Sequence, residues 1–418
     1  MAIKPERKVF LKHLLYASFH SVWMIIFSLI WLEQVNVFDG FPFMNDIMDY
    51  KEYIEKEILD IKPSESITDN FLLVNTSKNN ELAPFGDGNI ANTVITDRKR
   101  LTHFLEILDK GLDKDLKFVK FIILDIAFKD TSLYRANDSA LQAVITRLDE
   151  KQKIIIPADF DKSHKCFEPL IIKCRKGISS YKPSFLKTQY LKLSYILFDS
   201  IKQTPLLAYE TVEKNNMKQH NLGPFKYYTM EKGGWCLNTI VPEFRFTNYD
   251  LRPDSSNKPK YTDLGDWNED LTVDSNKIVI IGDIEGLYDK HHSMINQTPG
   301  PLILINAYCA LEKGDNILRW HYLLLLFISF MYISFHTFYK NQKNLNAKSK
   351  KSKVKIFIHF LKSRRNYLLI ILLTFISMFF YHFFLHLLIL LSYIGVIEII
   401  MEIYPLFKKK KRVVRGKK

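Results

Sequence analysis

The feature that most constrains the fold of this chain is the placement of its long apolar runs. One run covers residues 14–32 and contains no Asp, Glu, Lys or Arg. Two more cover residues 319–339 and 367–404, after a long polar stretch. A helix of about 20 apolar residues crosses a bilayer, and the last run is long enough for two crossings. The runs therefore predict four transmembrane helices, at 14–32, 319–339, 367–383 and 385–404.

The first apolar run has an alternative interpretation, a cleaved signal peptide. Two features argue against it. The run is long and rich in bulky side chains, and the residues that follow it, Glu33-Gln34-Val35-Asn36, form a poor cleavage site. We therefore predict an uncleaved membrane anchor.

Positive charge is concentrated beside the apolar runs. The whole chain carries a formal charge of +14, whereas residues 1–12, 340–365 and 405–418 together carry +21, which leaves −7 for the rest. Because the large middle region is acidic, we do not expect it to bind nucleic acid. Lys and Arg favour the cytoplasmic side of a membrane, so four crossings place all three basic segments inside and residues 33–318 outside.

The predicted protein is thus a multi-pass protein of the bacterial inner membrane, with its main domain in the periplasm. Between the transmembrane helices the predicted segments are a basic cytoplasmic N-terminus (1–13), an extracytoplasmic domain (33–318), a basic cytoplasmic loop (340–366) and a basic cytoplasmic tail (405–418).

Within residues 33–318, short apolar runs rich in β-branched side chains alternate with helical patterns. Strands are predicted at residues 71–75, 118–125, 153–157 and 277–281, with helices between them and a last helix from Gly300. Continuous apolar strands that alternate with helices are typical of a parallel sheet covered on both faces. The predicted fold class is α/β, an exported three-layer domain with a largely parallel sheet, plus an α-helical membrane part of four transmembrane helices.

Two stretches of this domain resemble a known family. The first is residues 121–128 (FIILDIAF), followed by Asp138-Ser139-Ala140-Leu141. The second is residues 278–282 (IVIIG), followed by Asp289, Thr298-Pro299-Gly300-Pro301 and Ile305-Asn306-Ala307. Together with the layout of one anchor, an exported domain and three membrane helices, they resemble CHASE-type extracellular sensor domains of the second type.

The resemblance implies a signal-input role, usually joined to a kinase, a nucleotide cyclase or a diguanylate cyclase in the cytoplasm. The chain departs from the family at two places. Only residues 405–418 follow the last apolar run, so we expect no output domain, and residues 93–96 replace the family's Gly-rich and Trp-Pro segment. Any output would then come from a partner protein, or the domain would serve as an assembly part.

Candidate ligand-binding residues follow the predicted strands, because ligands of open α/β sheets bind beyond the carboxyl ends of the strands. Carboxylates and His suit a divalent metal or a cationic small molecule, although no resident metal or cofactor is predicted. The alternative is that these side chains cap helices or are solvated in loops. The candidates are Asn75, Asp125, Asp159, Asp283, Glu285, Asp289 and His291. Residues 252–270, by contrast, are polar and turn-rich and are predicted as a surface loop.

Two further groups of candidates lie in and after the last apolar run. Glu398 and Glu402 are one helical turn apart, so they either couple the membrane helices to function or lie at the inner interface. The basic tail is predicted to attract anionic lipid or a cytoplasmic partner. Its residues are Lys408, Lys409, Lys410, Lys411 and Arg412.

No catalytic motif is present. The chain lacks Gly-x-Ser-x-Gly, a P-loop and His-Glu-x-x-His, and we predict that it is not an enzyme. Cys166 and Cys174 either form a local disulfide, if the region is exported, or remain free and buried.

Two functions fit these observations. The first is a non-enzymatic inner-membrane sensor, whose outer domain binds a ligand or an envelope protein and couples to a cytoplasmic or membrane partner. The second is a structural subunit of an envelope-spanning complex. The predicted partners are membrane lipids and other membrane or envelope proteins, with a homo-oligomer also considered.

Overall fold

A computed structural model describes most of the chain. The described residues are 5–33, 50, 51, 53, 54, 58, 66–85, 91–126, 128, 135–160, 166–167, 176–178, 182–183, 191–197, 201–223, 225–240, 246–247, 250–252, 260–267, 276–286, 290–293, 296–344, 353–383, 385–397 and 399–400. The chain divides into two compact units. One comprises Met1–Asp39 and Ile317–Lys418, and the other comprises Gly40–Asn316. We call them the apolar unit and the α/β unit.

The helices are α1 (Pro5–Glu33), α2 (Ile67–Asn70), α3 (Arg98–Lys114), α4 (Arg135–Glu150), α5 (Thr204–Glu213), α6 (Gly300–Lys313), α7 (Trp320–Asn344), α8 (Lys353–Tyr381) and α9 (Leu387–Ile397). The strands are β1 (Phe71–Asn75), β2 (Asn80–Phe85), β3 (Ala91–Thr96), β4 (Val119–Leu124), β5 (Ile154–Phe160), β6 (Cys166–Phe167), β7 (Lys176–Ile178), β8 (Lys182–Pro183), β9 (Leu191–Ser194), β10 (Met217–Leu222), β11 (Phe225–Met230), β12 (Gly234–Cys236), β13 (Thr239–Ile240), β14 (Thr262–Asp263), β15 (Lys277–Gly282), β16 (Lys290–Ser293) and β17 (Asn296–Pro299).

A parallel sheet forms the centre of the α/β unit. Five parallel strands run in the order β14-β1-β15-β4-β5, β7 is also parallel to β5, and β6 adds an antiparallel edge. The register aligns Leu73 with Ile280, Ile280 with Ile123, and Ile123 with Ile155. The predicted α/β class with a largely parallel sheet is therefore confirmed.

Side chains alternate along each strand and build one core on each face of the sheet. Ile280 and its neighbours in the register pack with residues of α5 and α6, whereas Val279 and Ile281 pack with residues of α3 and α4. The strand side chains on both faces of the sheet are almost fully buried. This explains why the strands are apolar along their whole length.

The helices of the α3–α4 face are tied together by a buried ion pair. Asp97 is the N-cap of α3, and its side chain accepts a hydrogen bond from the Arg100 backbone N–H (3.0 Å). The first residue of that helix, Arg98, pairs with Asp138 of α4, and both side chains are buried. In the sequence, Asp138-Ser139 precedes a helical pattern of apolar residues from Ala140 to Leu148, which predicts that this pair caps the helix. The helix instead begins at Arg135, so Asp138 lies in its first turn and serves as the partner of Arg98.

Within the described part of the apolar unit, two helices, not four, are long and apolar enough to cross a membrane. They are Val9–Glu33 in α1 and Trp320–Phe338 in α7. Arg365–Tyr381 in α8 and Leu387–Ile397 are shorter apolar helices. The prediction counted the run 367–404 as two full spans. The apolar part of α8, Arg365–Tyr381, is as long as the predicted span 367–383, whereas Leu387–Ile397 is shorter than the predicted span 385–404. His382 adopts a left-handed φ of 59° at the turn between them.

Polar side chains join three helices inside the apolar unit. On α1, the ring of His20 forms hydrogen bonds through Nδ1 with Ser334 Oγ of α7 (2.7 Å) and through Nε2 with Tyr393 OH of α9 (3.1 Å). Aromatic contacts add to this, with Phe27 packed against Tyr393. In an apolar environment such hydrogen bonds hold helices together, so α1 is integrated with the later helices of its unit.

Several predictions fall outside the described residues. They concern Asp289, Cys174 and the two carboxylates of the last run, Glu398 and Glu402. The same is true of the basic tail, residues 405–418, including Lys408 to Arg412. Cys166 lies in β6, where its side chain is not among those described, so the Cys166–Cys174 disulfide stays a prediction.

Candidate functional site

Four of the predicted site residues lie at the carboxyl edge of the parallel sheet. Asn75 ends β1, Asp125 directly follows β4, and Asp283 and Glu285 follow β15. The centre of this edge is tightly packed. A Cβ atom on Gly282 would lie 3.2 Å from Asp125 Cβ and 2.9 Å from Pro301 Cγ, so a glycine is needed at the end of β15. The edge therefore brings polar side chains against the first turn of α6.

Asn75 connects three segments of this edge. Its fully buried side chain donates from Nδ2 to Asp263 Oδ1 of β14 (2.7 Å). Its Oδ1 accepts from the backbone N–H groups of Ile284 (3.2 Å) and Ser77 (3.3 Å). The amide thus fixes the loop after β1, the loop after β15 and the edge strand β14 in one arrangement.

The side chain of Glu285 is the centre of a polar cluster, which we call the Glu285 cluster. Glu285 Oε1 accepts from Lys78 Nζ (2.5 Å) and Tyr261 OH (2.6 Å), and Oε2 accepts from Ser77 Oγ (3.4 Å). Lys78 Nζ also lies 3.5 Å from Asp263 Oδ2. Because the Lys78 side chain is about half exposed, the cluster is accessible from solvent.

The pKa values in this cluster show a carboxylate held in its charged form. Burial alone would raise the pKa of Glu285, but the hydrogen bonds from Lys78 and Tyr261 outweigh it, and the pKa is lowered. The hydrogen bond to Glu285 raises the pKa of Lys78. Burial, followed by the hydrogen bond to Glu285, raises the pKa of Tyr261 to about 12. At neutral pH the cluster therefore consists of an ionised Glu285 carboxylate that accepts hydrogen bonds from a charged Lys78 and a neutral Tyr261.

Residues 77, 78, 261 and 263 of this cluster were not predicted. Ser77 and Lys78 follow β1 without any motif. Tyr261 and Asp263 lie in residues 252–270, which were predicted as a surface loop, whereas Thr262–Asp263 forms the parallel edge strand β14. A two-residue strand has no periodicity to detect, so only its pairing with Val74 and Asn75 reveals it.

The remaining candidates lie elsewhere or cannot be placed. His291 lies opposite Thr298 in the β16–β17 hairpin. Asp159 lies in β5, opposite Phe167, but its side chain is not among those described. Among the described residues, no group of three or more His, Cys, Asp or Glu side chains is arranged to hold a metal ion. Chemically, the carboxylates of Glu285 and Asp263 can accept a cationic group in place of the Lys78 ammonium.

These features define a class, an α/β unit with a parallel sheet and a polar carboxyl edge, in a chain with two long apolar helices. Comparisons with models of known families, with curated proteins and with solved structures returned no match. The resemblance to CHASE-type sensor domains therefore stays a prediction.

Glu285→Gln is expected to change how the stability of the α/β unit depends on pH. The lowered pKa of Glu285 means that its charged form stabilises the folded state. That stabilisation is complete above the ordinary glutamate pKa and is lost as the pH falls through the lowered value. The thermal midpoint of the wild type should therefore decline more steeply than that of the variant as the pH falls below about 5. Equal slopes would contradict an ionised Glu285 in the folded state.

Proposed function

We propose that this chain is a non-enzymatic membrane protein whose α/β unit binds a ligand or an envelope protein at the carboxyl edge of its sheet. The observation that carries this proposal is the Glu285 cluster. It joins residues from three distant parts of the chain, and one of them, Glu285, lies in the segment that leads from β15 to α6. In chain order α6 ends at Lys313 and the apolar helix α7 begins at Trp320. Binding at Glu285 would thus act on the segment that precedes α7.

The sensor interpretation adds a coupling step to this binding. A ligand shifts an equilibrium only if it binds two states differently. Replacement of the Lys78 ammonium by a cationic group of the ligand would remove one of the contacts between the loop after β1 and the loop after β15. The bonds of Asn75 to Ile284 and of Ser77 to Glu285 would remain. The loss of the Lys78–Glu285 contact is therefore the difference between the two proposed states. The CHASE-like family assignment belongs to this proposal.

A structural subunit of an envelope-spanning complex is the second candidate. It is favoured by the extensive apolar surface of the helices in the apolar unit. Phe19 of α1 is 70% exposed and Trp320 of α7 is 74% exposed. In a bilayer such side chains contact lipid or the helices of other subunits. The two candidates share the same membrane placement and differ in what occupies the carboxyl edge.

Both candidates place the protein in the bacterial inner membrane, with the α/β unit in the periplasm. We propose that α1 is a retained anchor, because its hydrogen bonds to α7 and α9 integrate it with the later helices. We further propose that Arg365–Tyr381 and the helix that begins at Leu387 also cross. The first has 17 residues, the lower limit for a span, and the second continues towards residues outside the described part.

Thiol accessibility in intact spheroplasts tests this topology. In a background without native cysteines, Asn221→Cys in β10 should react with a membrane-impermeant maleimide, because Asn221 is exposed in the α/β unit. Ser349→Cys, in the basic segment, should react only after permeabilisation. Reaction of both, or of neither, before permeabilisation would contradict the proposed arrangement.

A mild-detergent pull-down with mass spectrometry separates the two candidates. A stable set of membrane partners in fixed stoichiometry would identify a structural subunit. Recovery alone, or with a substoichiometric signalling enzyme, would support the sensor. The variant Glu285→Gln tests the site in the same experiment, with Glu231→Gln as a matched control in the exposed Lys218–Glu231 pair. If a partner binds at the carboxyl edge, only Glu285→Gln should reduce its recovery.

A further inference from the structure

The side chain of Arg365 lies against an aromatic ring inside the apolar unit. Its Cζ is 5.0 Å from the centroid of the Tyr332 ring of α7, a cation–π contact. Two of its guanidinium nitrogens, Nε and Nη2, are enclosed and have no hydrogen-bond partner among the described residues. The Tyr332 ring therefore stabilises the guanidinium cation, while two N–H donors of the guanidinium lack an acceptor among the described residues.

An enclosed guanidinium without an acceptor is costly, so an anion is expected beside it. The helices α7, α8 and α9 cannot provide one. From residue 317 to residue 397 the chain contains no Asp or Glu, and this stretch includes α7, α8 and α9. The counter-charge for Arg365 must therefore come from outside α7, α8 and α9, either from another part of the chain, which includes Glu6 of α1, Glu398 and Glu402, or from a bound molecule.

We propose that Arg365 binds the phosphate group of a membrane phospholipid. The proposal rests on the membrane placement of α7 proposed above. A guanidinium forms two parallel hydrogen bonds to phosphate, which would satisfy the two enclosed donors once the side chain turns to expose them. Tyr332 is 45% exposed, so the ring that supports the cation lies on the outer surface of the helices, where lipid has access.

The position of Arg365 along the helices fits the headgroup region. The apolar span of α7 ends at Phe338. The neighbour of Arg365, Asn366, donates from Nδ2 to Thr337 Oγ1 of α7 (3.0 Å). Arg365 thus lies near the last turns of the span, within reach of the headgroups for a long side chain. The ring of His336, one turn beyond Tyr332 and stacked on it at 6.4 Å, adds a polar group nearby.

The test uses the full-length protein, delipidated in detergent and titrated with one additive at a time. The additives are dioleoylphosphatidylglycerol, a phosphate-free galactolipid with the same acyl chains, and inorganic phosphate. Only phosphatidylglycerol should raise the thermal midpoint of the wild type. Arg365→Gln should bind it about tenfold more weakly, because a charge-assisted hydrogen-bonded contact is lost. Arg364→Gln, the matched control, should bind it as the wild type does.

A second measurement needs no variant. Phenylglyoxal modifies accessible arginines, and Arg365 is partly exposed although its Nε and Nη2 are enclosed. Peptide mapping reports the rate of modification at Arg365. In the wild type, phosphatidylglycerol should slow this reaction several-fold, whereas the galactolipid should not.

Three results would overturn the proposal. They are equal lipid binding by Arg365→Gln and the wild type, equal stabilisation by inorganic phosphate, and loss of a co-purifying protein rather than of lipid in Arg365→Gln. Alkaline carbonate extraction of cell membranes separates this failure from that of the membrane placement. If carbonate releases the protein, the placement itself is wrong; if the protein stays with the membrane, only the lipid site is wrong.

Discussion

Arg98→Ala is expected to destabilise the α/β unit by about 3–5 kcal/mol, because it leaves the carboxylate of Asp138 buried without its partner. The side chains of Arg98 and Asp138 are only 6% and 5% exposed. The guanidinium also lies over the Phe128 ring, with its Cζ 5.9 Å from the centroid. The variant therefore loses an ion pair and a packing contact at the junction of α3 and α4. Asp138→Ala should lower the stability by a similar amount, since it leaves the Arg98 guanidinium buried without its partner.

The measurement is denaturant unfolding in detergent. Unfolding is monitored by alkylation of the buried thiols of Cys236 and Cys309, which react when the unit unfolds. Arg100→Ala is the matched control on the same helix. Arg100 is 53% exposed and pairs with Asp97 at 3.2 Å, so this variant should lose no more than about 1 kcal/mol. The double variant Arg98→Met/Asp138→Leu should recover most of the stability, because it removes both charges. A loss of less than about 1 kcal/mol in Arg98→Ala would contradict a buried pair.

Asn306→Leu is expected to destabilise the same unit by about 2–5 kcal/mol, because it leaves two buried backbone groups unpaired. Asn306 is fully buried in α6. Its Oδ1 accepts from the backbone N–H of Phe246 (3.0 Å), and its Nδ2 donates to the backbone C=O of Phe246 (2.9 Å). The amide thus replaces a strand partner for the segment at Phe246, which packs in the core beside α6.

The nearby thiol of Cys309 gives a local readout for this variant. Cys309 lies one turn further along α6 and is 5% exposed. In Asn306→Leu, the denaturant concentration at which Cys309 becomes reactive should fall in proportion to the lost stability. Asn221→Leu, the same change at an exposed position in β10, should stay within about 0.5 kcal/mol of the wild type. Equal behaviour of the two variants would show that the Asn306 amide contributes no net stability.

The candidate site illustrates how far sequence reasoning reaches. Asn75, Asp125, Asp283 and Glu285 were found because each lies just after a run of buried apolar residues, and the ends of parallel strands share one edge. Lys78 was not predicted as a site residue, because a lysine in a polar loop carries no signal of its own unless its partner is known. That partner, Glu285, is 207 residues away in the chain, and no local pattern links the two.

The sequence by itself determined the elements whose signal is local. The strands β1, β4, β5 and β15 were recognisable because both faces of each are buried, and the two long apolar helices because a membrane-length run has a distinctive composition. It also determined the distribution of charge, which excludes a basic nucleic-acid surface in the middle region.

Only the tertiary structure decided how these elements are arranged. It placed β15 between β1 and β4, so that the strand of this sheet that comes last in the chain lies at the centre of the five parallel strands. It also made Asp138 the partner of Arg98 rather than a cap, and it recruited Tyr261 and Asp263 to the edge through a two-residue strand. The physical reason is that strand order and ion pairing depend on contacts between residues far apart in the chain. Periodicity, capping and turn propensity, by contrast, act over a few neighbouring residues.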